Sequence, residues 1–357
     1  MTGFALKDIL IRGINNCASD VHLSVGDVPM LRIDGNLVRI PEAQPLAEDD
    51  MRQAVSELLT ESQIERFNKE REYDFSFGLD MGVKEQRFRA NFSYEKGCPA
   101  LALRAITSNI RTMKQLGLPD DLKVMTKKNN GLFLVTGPTG SGKSTTLAAI
   151  IQEINLRRSV HIVTVEDPIE YLYTSEVALI HQRELGRDTK TFAEALRRAM
   201  RQDPDVIMIG EMRDLETISA AITAAETGHL VLATLHTRDA AQSIDRIIDV
   251  FPPYQQQQIR IQLASMLLGV LSQQLIPLEG IPGRAVATEY LVATNAVRNY
   301  IREGKSSQIK NVIQTGSALG MHTMDQDLAS LCQKGMVGKR EALAHAYDVE
   351  SFNRYMI

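Results

Sequence analysis

A complete phosphate-binding loop motif is the sequence feature that most constrains this chain. Residues 137–144 read GPTGSGKS and match G-x-x-x-x-G-K-[ST] at every fixed position. An apolar segment at residues 132–135 precedes the motif and a helical pattern at residues 143–155 follows it, which is the context that the motif requires. Glycines let such a loop close around phosphate oxygens, with its backbone N–H groups pointing inward and a helix N-terminus behind it. The loop therefore predicts a nucleoside triphosphate site.

Each position of the loop is a candidate nucleotide contact. Lys143 is expected to reach the β- and γ-phosphates, and Ser144 to supply an oxygen to Mg²⁺. A guanine-specific site usually carries an Asn-Lys-x-Asp element. The nearest match, Asn68-Lys69-Glu70-Arg71, lacks the Asp and precedes the loop, so ATP is predicted. The residues predicted from the motif alone are Gly137, Pro138, Thr139, Gly140, Ser141, Gly142, Lys143 and Ser144.

The chain after residue 130 alternates short apolar segments with amphipathic helical patterns. This alternation is typical of a parallel sheet with crossover helices, an α/β fold. Beyond Pro252-Pro253 the pattern becomes mostly helical, beginning with a helix over residues 255–275. The predicted strands are residues 132–135, 160–165, 206–209 and 230–235, and the predicted helices are residues 143–155, 191–202 and 215–227.

The first hundred residues read differently, as a small α+β domain. Short alternating strands, a hairpin signal at Asp34-Gly35 and a helical stretch over residues 47–70 occupy it. The predicted domains are residues 1–106 for this unit and 120–357 for the ATPase domain with its C-terminal helices. Residues 107–119 are predicted to be a linker.

Charge and cysteine content exclude several classes of protein. A net charge of −4 argues against binding nucleic acid through bulk electrostatics. The three cysteines are too far apart to form a zinc-binding pair or to suggest a disulfide framework, so a reducing cytosol is expected. Because no run of 18 uncharged apolar residues occurs, we expect any membrane role to come through a partner.

Two acidic segments follow predicted strands at the edge where such sheets bind ligands. Glu211 follows the strand at residues 206–209 and is a candidate for holding a Mg²⁺ water, although a solvated glutamate at a strand end is the alternative. Glu166, Asp167 and Glu170 follow residues 161–165, and Pro168 makes their turn rigid. At least one of these carboxylates can therefore orient the attacking water, whereas an acidic turn considered alone is usually solvated.

Two candidate catalytic histidines flank the predicted strand at residues 230–235. His236 lies at its C-terminal end, on the edge of the phosphate loop, and is the better candidate for sensing the γ-phosphate. His229 lies at the opposite end, where a structural role or a subunit contact is expected. A histidine in either position is frequently only a hydrogen-bonded structural residue.

Together these motifs resemble the type II/IV secretion ATPase superfamily, and within it the type IV pilus retraction motors. The resemblance covers nearly the whole chain and adds Thr145 to the nucleotide-binding set. The segments that carry it are the opening signature at residues 19–23, Walker A at 137–145, the Asp box at 165–170, Walker B at 209–214 and the His box at 223–237.

The resemblance implies a RecA-like P-loop core preceded by a smaller PAS-like α+β domain. It makes Glu170 the general base with Glu166 in support, and it makes Glu211 the residue that holds the magnesium water. The family assembles as homo-hexamers in which arginines of a neighbour's N-terminal domain complete each ATP site. The candidate arginines here are Arg87, Arg89 and Arg104.

Residues 296–303 place Arg298 and Arg302 on one polar face of a helix, and they resemble the C-terminal segment of retraction motors. With the absent cysteine-zinc motif and the expected absence of a long extra N-terminal domain, this favours retraction over pilus extension or type II secretion. The implied protein is cytoplasmic and acts at the inner face of the cytoplasmic membrane through a platform protein, and indirectly on pilins. An accessory or non-hydrolysing subunit and a nucleic-acid translocase remain alternatives.

Overall fold

The computed structural model describes residues 5–33, 35–80, 85–106 and 109–356. The chain divides into two compact units. The first covers Met1–Asn109 together with Glu170–Leu172, and the second covers Ile110–Ile169 and Tyr173–Ile357. Within the described residues, no helix is both long enough and apolar enough to cross a bilayer.

The first unit is an antiparallel sheet with helices, as the sequence predicts. The strand order is β3-β2-β1-β6-β5-β4, and buried side chains such as Phe88 and Phe92 lie on the face that forms the core. The elements are α1 (Leu6–Asn15), β1 (Asp20–Leu23), β2 (Met30–Ile33), β3 (Asn36–Arg39), α2 (Glu48–Leu58), α3 (Glu61–Glu70), β4 (Glu72–Asp80), β5 (Glu85–Glu95) and β6 (Cys98–Ile106).

The hairpin and the helical stretch predicted in this unit are both present. The hairpin is confirmed by the antiparallel pairing of β2 with β3, although Asp34 of its turn lies outside the described residues. The helical stretch predicted over residues 47–70 is confirmed, but it is divided into two helices because the chain leaves the helical conformation at Leu59 and restarts at Thr60. The Thr60 N–H donates to Gln63 Oε1 at 2.8 Å, a side-chain cap that begins α3.

The second unit is built on a seven-stranded sheet in the order β13-β12-β7-β11-β10-β8-β9. The neighbours from β12 to β9 pair in parallel, and β13 is antiparallel to β12. The strands are β7 (Gly131–Thr136), β8 (His161–Glu166), β9 (Leu179–Glu184), β10 (Val206–Ile209), β11 (Leu230–Leu235), β12 (Leu267–Pro277) and β13 (Arg284–Val292).

Helices cover both faces of this sheet. Leu132 and Leu134 of β7 enter one core cluster, whereas Phe133 and Val135 enter the other. Such two-sided burial explains why the strand reads as a continuous apolar run. The helices are α4 (Lys143–Arg157), α5 (Phe192–Ala199), α6 (Leu215–Glu226), α7 (Ala240–Asp249), α8 (Pro253–Met266), α9 (Asn295–Arg302), α10 (Ile309–Thr315), α11 (Met324–Gln333), α12 (Lys339–His345) and α13 (Val349–Tyr355).

The helix predicted over residues 255–275 is wrong in its second half. Helix α8 ends at Met266 and the chain continues as β12, parallel to β7. A short apolar run is compatible with either a helix or a buried strand, and here tertiary pairing decides. Gly269 permits the close packing, since an added Cβ would lie 2.5 Å from the Leu291 carbonyl oxygen.

The division between the units falls between Asn109 and Ile110. The predicted linker over residues 107–119 therefore differs from the structure, and Thr107 and Ser108 lie outside the described residues. Met113 and Leu118 are buried in the core of the second unit beside Leu122. These two side chains are therefore part of the core, whereas the side chains of a free linker would be exposed.

A buried carboxyl on β13 connects the sheet to the start of α7. Glu289 is 4% exposed, and its Oε1 accepts the Ala240 N–H at 2.9 Å. Burial raises the pKa of Glu289 to about 7, against the lowering effect of that hydrogen bond. The folded protein therefore keeps a proton that the unfolded chain releases, so this group lowers the free energy of unfolding as pH rises from about 4.5 to about 7.

We predict that Glu289→Gln removes this pH-dependent loss while keeping an acceptor for the Ala240 N–H. The variant should be more stable than the wild type by up to about 3 kcal/mol at pH 8, and by less than about 1 kcal/mol at pH 5. Urea unfolding at the two pH values measures the difference. The control is Glu279→Gln, at an exposed position. Equal pH profiles for the wild type and Glu289→Gln would contradict the assignment.

Candidate nucleotide site

The phosphate loop joins the end of β7 to the start of α4, as the motif predicts. Gly142 has a φ of 88° and forms the N-cap of α4. Gly137 has a φ of 143°, and a Cβ there would lie 2.3 Å from the Gln273 carbonyl oxygen and 2.6 Å from Ser141 Oγ. Both glycines are therefore required by the path of the loop.

Lys143 begins α4 and lies against the loop. Its Nζ donates to the carbonyl oxygens of Gly137 and Pro138, each at 2.9 Å, and the residue is 8% exposed. Pro138, Thr139 and Gly140 form the exposed tip of the loop. The ammonium group is thus positioned at the concave side of a backbone turn, where phosphate oxygens would be neutralised.

A buried hydroxyl at the loop supports the fit of a nucleotide. Ser141 Oγ is buried, and among the described residues it has no hydrogen-bond partner. Ser144 and Thr145 are half-buried in the first turn of α4. Hydroxyls and N–H groups at a helix N-terminus are the donors that an anionic phosphate needs.

Glu211 lies at the same edge of the sheet, directly after β10. Its Oε1 is 2.6 Å from Arg213 Nε, and its Oε2 is 3.4 Å from His236 Nε2. The Glu211 side chain is only 15% exposed. His236 follows β11, so parallel pairing of β10 with β11 brings these two predicted site residues together. Arg213 was not predicted as a site residue, although it lies in the segment read as Walker B.

Glu166 ends β8 and is buried. Its Oε1 accepts a 2.6 Å hydrogen bond from Thr164 Oγ1 and a 3.3 Å bond from Gln182 Nε2. Gly210 lies beside it, and a Cβ on Gly210 would be 3.3 Å from both Glu166 Cα and the Val165 carbonyl oxygen. This close packing explains why glycine occupies the position where an acidic residue is common in Walker B elements.

The acidic turn after β8 is fixed by a second buried carboxylate. The Asp167-Pro168 peptide bond is cis, and the Ile169 N–H donates to Glu184 Oε2 at 3.1 Å. Glu184, at the end of β9, is 4% exposed. Glu170 is exposed and groups with the first unit, so its role as base stays a prediction.

His229 lies at the opposite edge of the sheet. Its Nδ1 contacts the Ala224 carbonyl oxygen at 2.9 Å, and its backbone oxygen accepts from the Gly131 N–H at the start of β7. Strand β11 has six residues, so about 20 Å separates this edge from the phosphate loop. The structure therefore does not bring His229 into the site of its own chain, and the prediction of a catalytic role for it is corrected.

The three candidate arginines of the first unit share one face of its sheet. Arg104 Nε lies 2.8 Å from Asp20 Oδ1, and Arg87 Nη2 donates to Ser76 Oγ at 2.9 Å. Arg89 is exposed and lies opposite Arg104 in the strand register. Burial alone would raise the pKa of Asp20, but hydrogen bonds from Ser19 and Arg104 lower it below its usual range.

The segment at residues 296–303 forms most of α9 and the residue after it, as predicted. Its two arginines lie in different environments. Arg298 donates to the carbonyl oxygens of Ala264, Ser265 and Leu267, which end α8. Burial lowers the pKa of Arg298. Arg302 is exposed and donates to Asn299 Oδ1. The interpretation of Arg298 as part of an exposed polar face is therefore wrong, because its guanidinium caps a neighbouring helix.

In the described part of the chain, no cluster of three or more His, Cys, Asp or Glu side chains could hold a metal ion. The site nevertheless fits Mg²⁺, which binds through phosphates and one or two protein oxygens rather than an all-protein cage. Ser144 and Glu211 are the residues that would hold it.

Comparison with known proteins agrees with this geometry. A model of the family described as type II/IV secretion system protein matches residues 4–342. The type IV pilus retractation ATPase PilT of Pseudomonas aeruginosa is 45% identical over 348 residues, which cover 97% of this chain and 99% of that protein. A twitching motility protein of Neisseria gonorrhoeae is 45% identical, over 91% of this chain and 86% of its own length.

Solved structures show the same relationship. A crystal structure of the pilus retraction motor PilT with bound ADP matches with a TM-score of 0.92 at 44% identity, and the match covers 99% of this chain and 100% of that chain. This likeness confirms the predicted fold class, an α/β P-loop ATPase core with a smaller N-terminal α+β domain. Because the family model matches residues 4–342, the chain belongs to the type II/IV secretion system protein family.

Proposed function

We propose that this protein is an ATP-hydrolysing motor that powers type IV pilus retraction and twitching motility. The observation that carries the proposal is the 45% identity to a pilus retraction ATPase along 97% of the chain. The phosphate loop and Glu211 at one sheet edge supply the chemistry that such a motor needs.

ATP is the substrate, and the loop over residues 137–145 binds its phosphates. Backbone N–H groups and the Lys143 ammonium neutralise the charge of the β- and γ-phosphates. Ser144 and Glu211 would hold Mg²⁺, which would supply positive charge to neutralise the charge that develops during transfer. Arg213 and His236 fix the orientation of the Glu211 carboxylate from two sides.

Glu170 is the proposed general base that orients the attacking water, with Glu166 in support. The buried Glu166 carboxylate is held by Thr164 and Gln182, whereas the Glu170 side chain is exposed. His236, beside Glu211, is the proposed sensor of the γ-phosphate.

The active form is a homo-hexameric ring. The phosphate loop supplies one cation, Lys143, and the nearby Arg213 is engaged by Glu211. Phosphoryl transfer usually needs a further arginine to neutralise developing charge. Arg87, Arg89 or Arg104 of a neighbouring subunit would provide it.

The motor acts at the inner face of the cytoplasmic membrane through a platform protein, and on pilins indirectly. Nucleic acid is not a substrate in this proposal.

Deleting the gene distinguishes a retraction motor from the alternative functions. Loss of a retraction motor should leave cells with surface pili but without twitching, whereas cells without pili would indicate an extension motor. Unchanged motility would indicate an accessory subunit.

We predict that Glu211→Gln lowers kcat about a hundredfold or more while ADP affinity is retained. The amide keeps the shape of the side chain but removes the charge that orders the magnesium water. Steady-state hydrolysis and calorimetric binding measure the two effects. Glu216→Gln, at an exposed position on α6, is the control. Turnover within a few-fold of the wild type would remove Glu211 from the site.

For the acidic turn, we predict that Glu170→Gln lowers kcat about a hundredfold or more, and more than Glu166→Gln does, because a positioned base typically contributes this much. Nucleotide affinity should barely change in either variant. Glu176→Gln, at an exposed position outside the turn, is the control. A larger loss in Glu166→Gln would assign the base to Glu166.

The two arginines of α9 are expected to have different roles. Arg302→Ala should leave the thermal unfolding midpoint and ATP hydrolysis intact but abolish twitching, because Arg302 is exposed on the segment that resembles that of retraction motors. Arg298→Ala should instead lower the unfolding midpoint, since it leaves three helix-end carbonyls without their donor. Arg340→Ala, at another exposed site, is the control. Normal twitching in Arg302→Ala would contradict a transmission role.

A further inference from the structure

Gln273 lies on β12, immediately beside the phosphate loop. The sequence pattern predicts a helix for this segment. Strand β12 pairs in parallel with β7, with Ser272 opposite Thr136. The next residue, Gln273, therefore falls beside the point where the chain leaves β7 and enters the loop. It is 1% exposed, although its side chain is a polar amide.

Gln273 touches both ends of the loop. Its Nε2 donates to the Ser141 carbonyl oxygen at 2.6 Å. Its own carbonyl oxygen blocks any side chain at Gly137, and its Nε2 would lie 3.2 Å from a Cβ on Gly142. Gln273 thus limits the space for a side chain at the first glycine of the loop and at the glycine that begins α4.

The hydrogen bond to Ser141 also sets the direction of the next N–H group. The Ser141 carbonyl and the Gly142 N–H belong to one planar trans peptide unit, so the two groups point in opposite directions. Because the carbonyl is held toward β12, the Gly142 N–H points away from β12. N–H groups at this position of a helix N-terminus are the ones that bind phosphate.

We propose that Gln273 is a positioning residue of the nucleotide site, which orients the Ser141-Gly142 peptide so that the Gly142 N–H faces the bound phosphates. The inference rests on the proposed ATPase function and adds a residue to it. Gln273 acts on the loop and not on the reacting atoms, so it contributes equally to ground-state and transition-state binding.

The unsatisfied end of the amide argues against a packing role alone. Gln273 Oε1 is buried and, among the described residues, has no hydrogen-bond partner. An unpaired buried acceptor lowers stability, and a methionine of similar length would fill the same space without that cost. The donor end of the side chain is therefore the part that matters to the loop.

The test replaces the donor and keeps the volume. In Gln273→Met we expect the Kd for ADP and the KM for ATP to rise about tenfold, the size of effect that one lost hydrogen bond produces. The rise in KM should exceed any change in kcat, since the lost interaction is uniform binding. Gln273→Glu at pH 8 should bind more weakly still, because a carboxylate repels both the Ser141 carbonyl and the phosphates.

Gln274→Met is the matched control, on the same strand but facing the other way. Gln274 Oε1 contacts His345 Nδ1 at 2.8 Å rather than the loop. Its ADP affinity should equal that of the wild type. Wild-type affinity in Gln273→Met, or a loss that follows a lowered unfolding midpoint, or an equal loss in Gln274→Met, would each overturn the proposal. Failure of the wild type itself to bind ADP would instead refute the proposed function.

Discussion

The parallel pairing of β7 with β11 and β12 is the constraint on which the rest of the site depends. Parallel strands bring their carboxyl ends to one edge, so the phosphate loop, His236 and Gln273 meet there although about 100 and 37 residues separate them from one another. The two-sided hydrophobic core makes this register costly to change. Nothing in the loop itself could place Gln273 beside it or Glu211 at the same edge of the sheet.

The carboxylates at this edge of the sheet are stabilised by neighbouring side chains rather than by solvent. Glu211 lies between Arg213 and His236, and the buried Glu166 is held by neighbouring hydroxyl and amide donors. A nucleotide adds several negative charges, and Lys143 is the cation of the loop itself. The proposed ring follows from this imbalance, because a neighbouring subunit can supply the missing arginine.

Local signals predicted much of this arrangement. The phosphate loop, the strand before it and Glu211 were found because glycine spacing and apolar runs are local properties. Strand β12 was missed because an apolar run reads as helix or strand until its partner is known. The role of Arg298 was misread for the same reason, since its acceptors lie 31 to 34 residues earlier in the chain. His229 and His236 could be told apart from the sequence, because the direction of the predicted strand already placed them at opposite ends of it.

The most direct test of the central claim is an experimental structure of the full chain with Mg²⁺ and a non-hydrolysable ATP analogue. The account predicts that the β- and γ-phosphates lie within the loop over residues 137–142, with Ser144 Oγ on the metal ion and Glu211 facing it. Phosphates bound at any other place, or a metal ion remote from both Ser144 and Glu211, would contradict it.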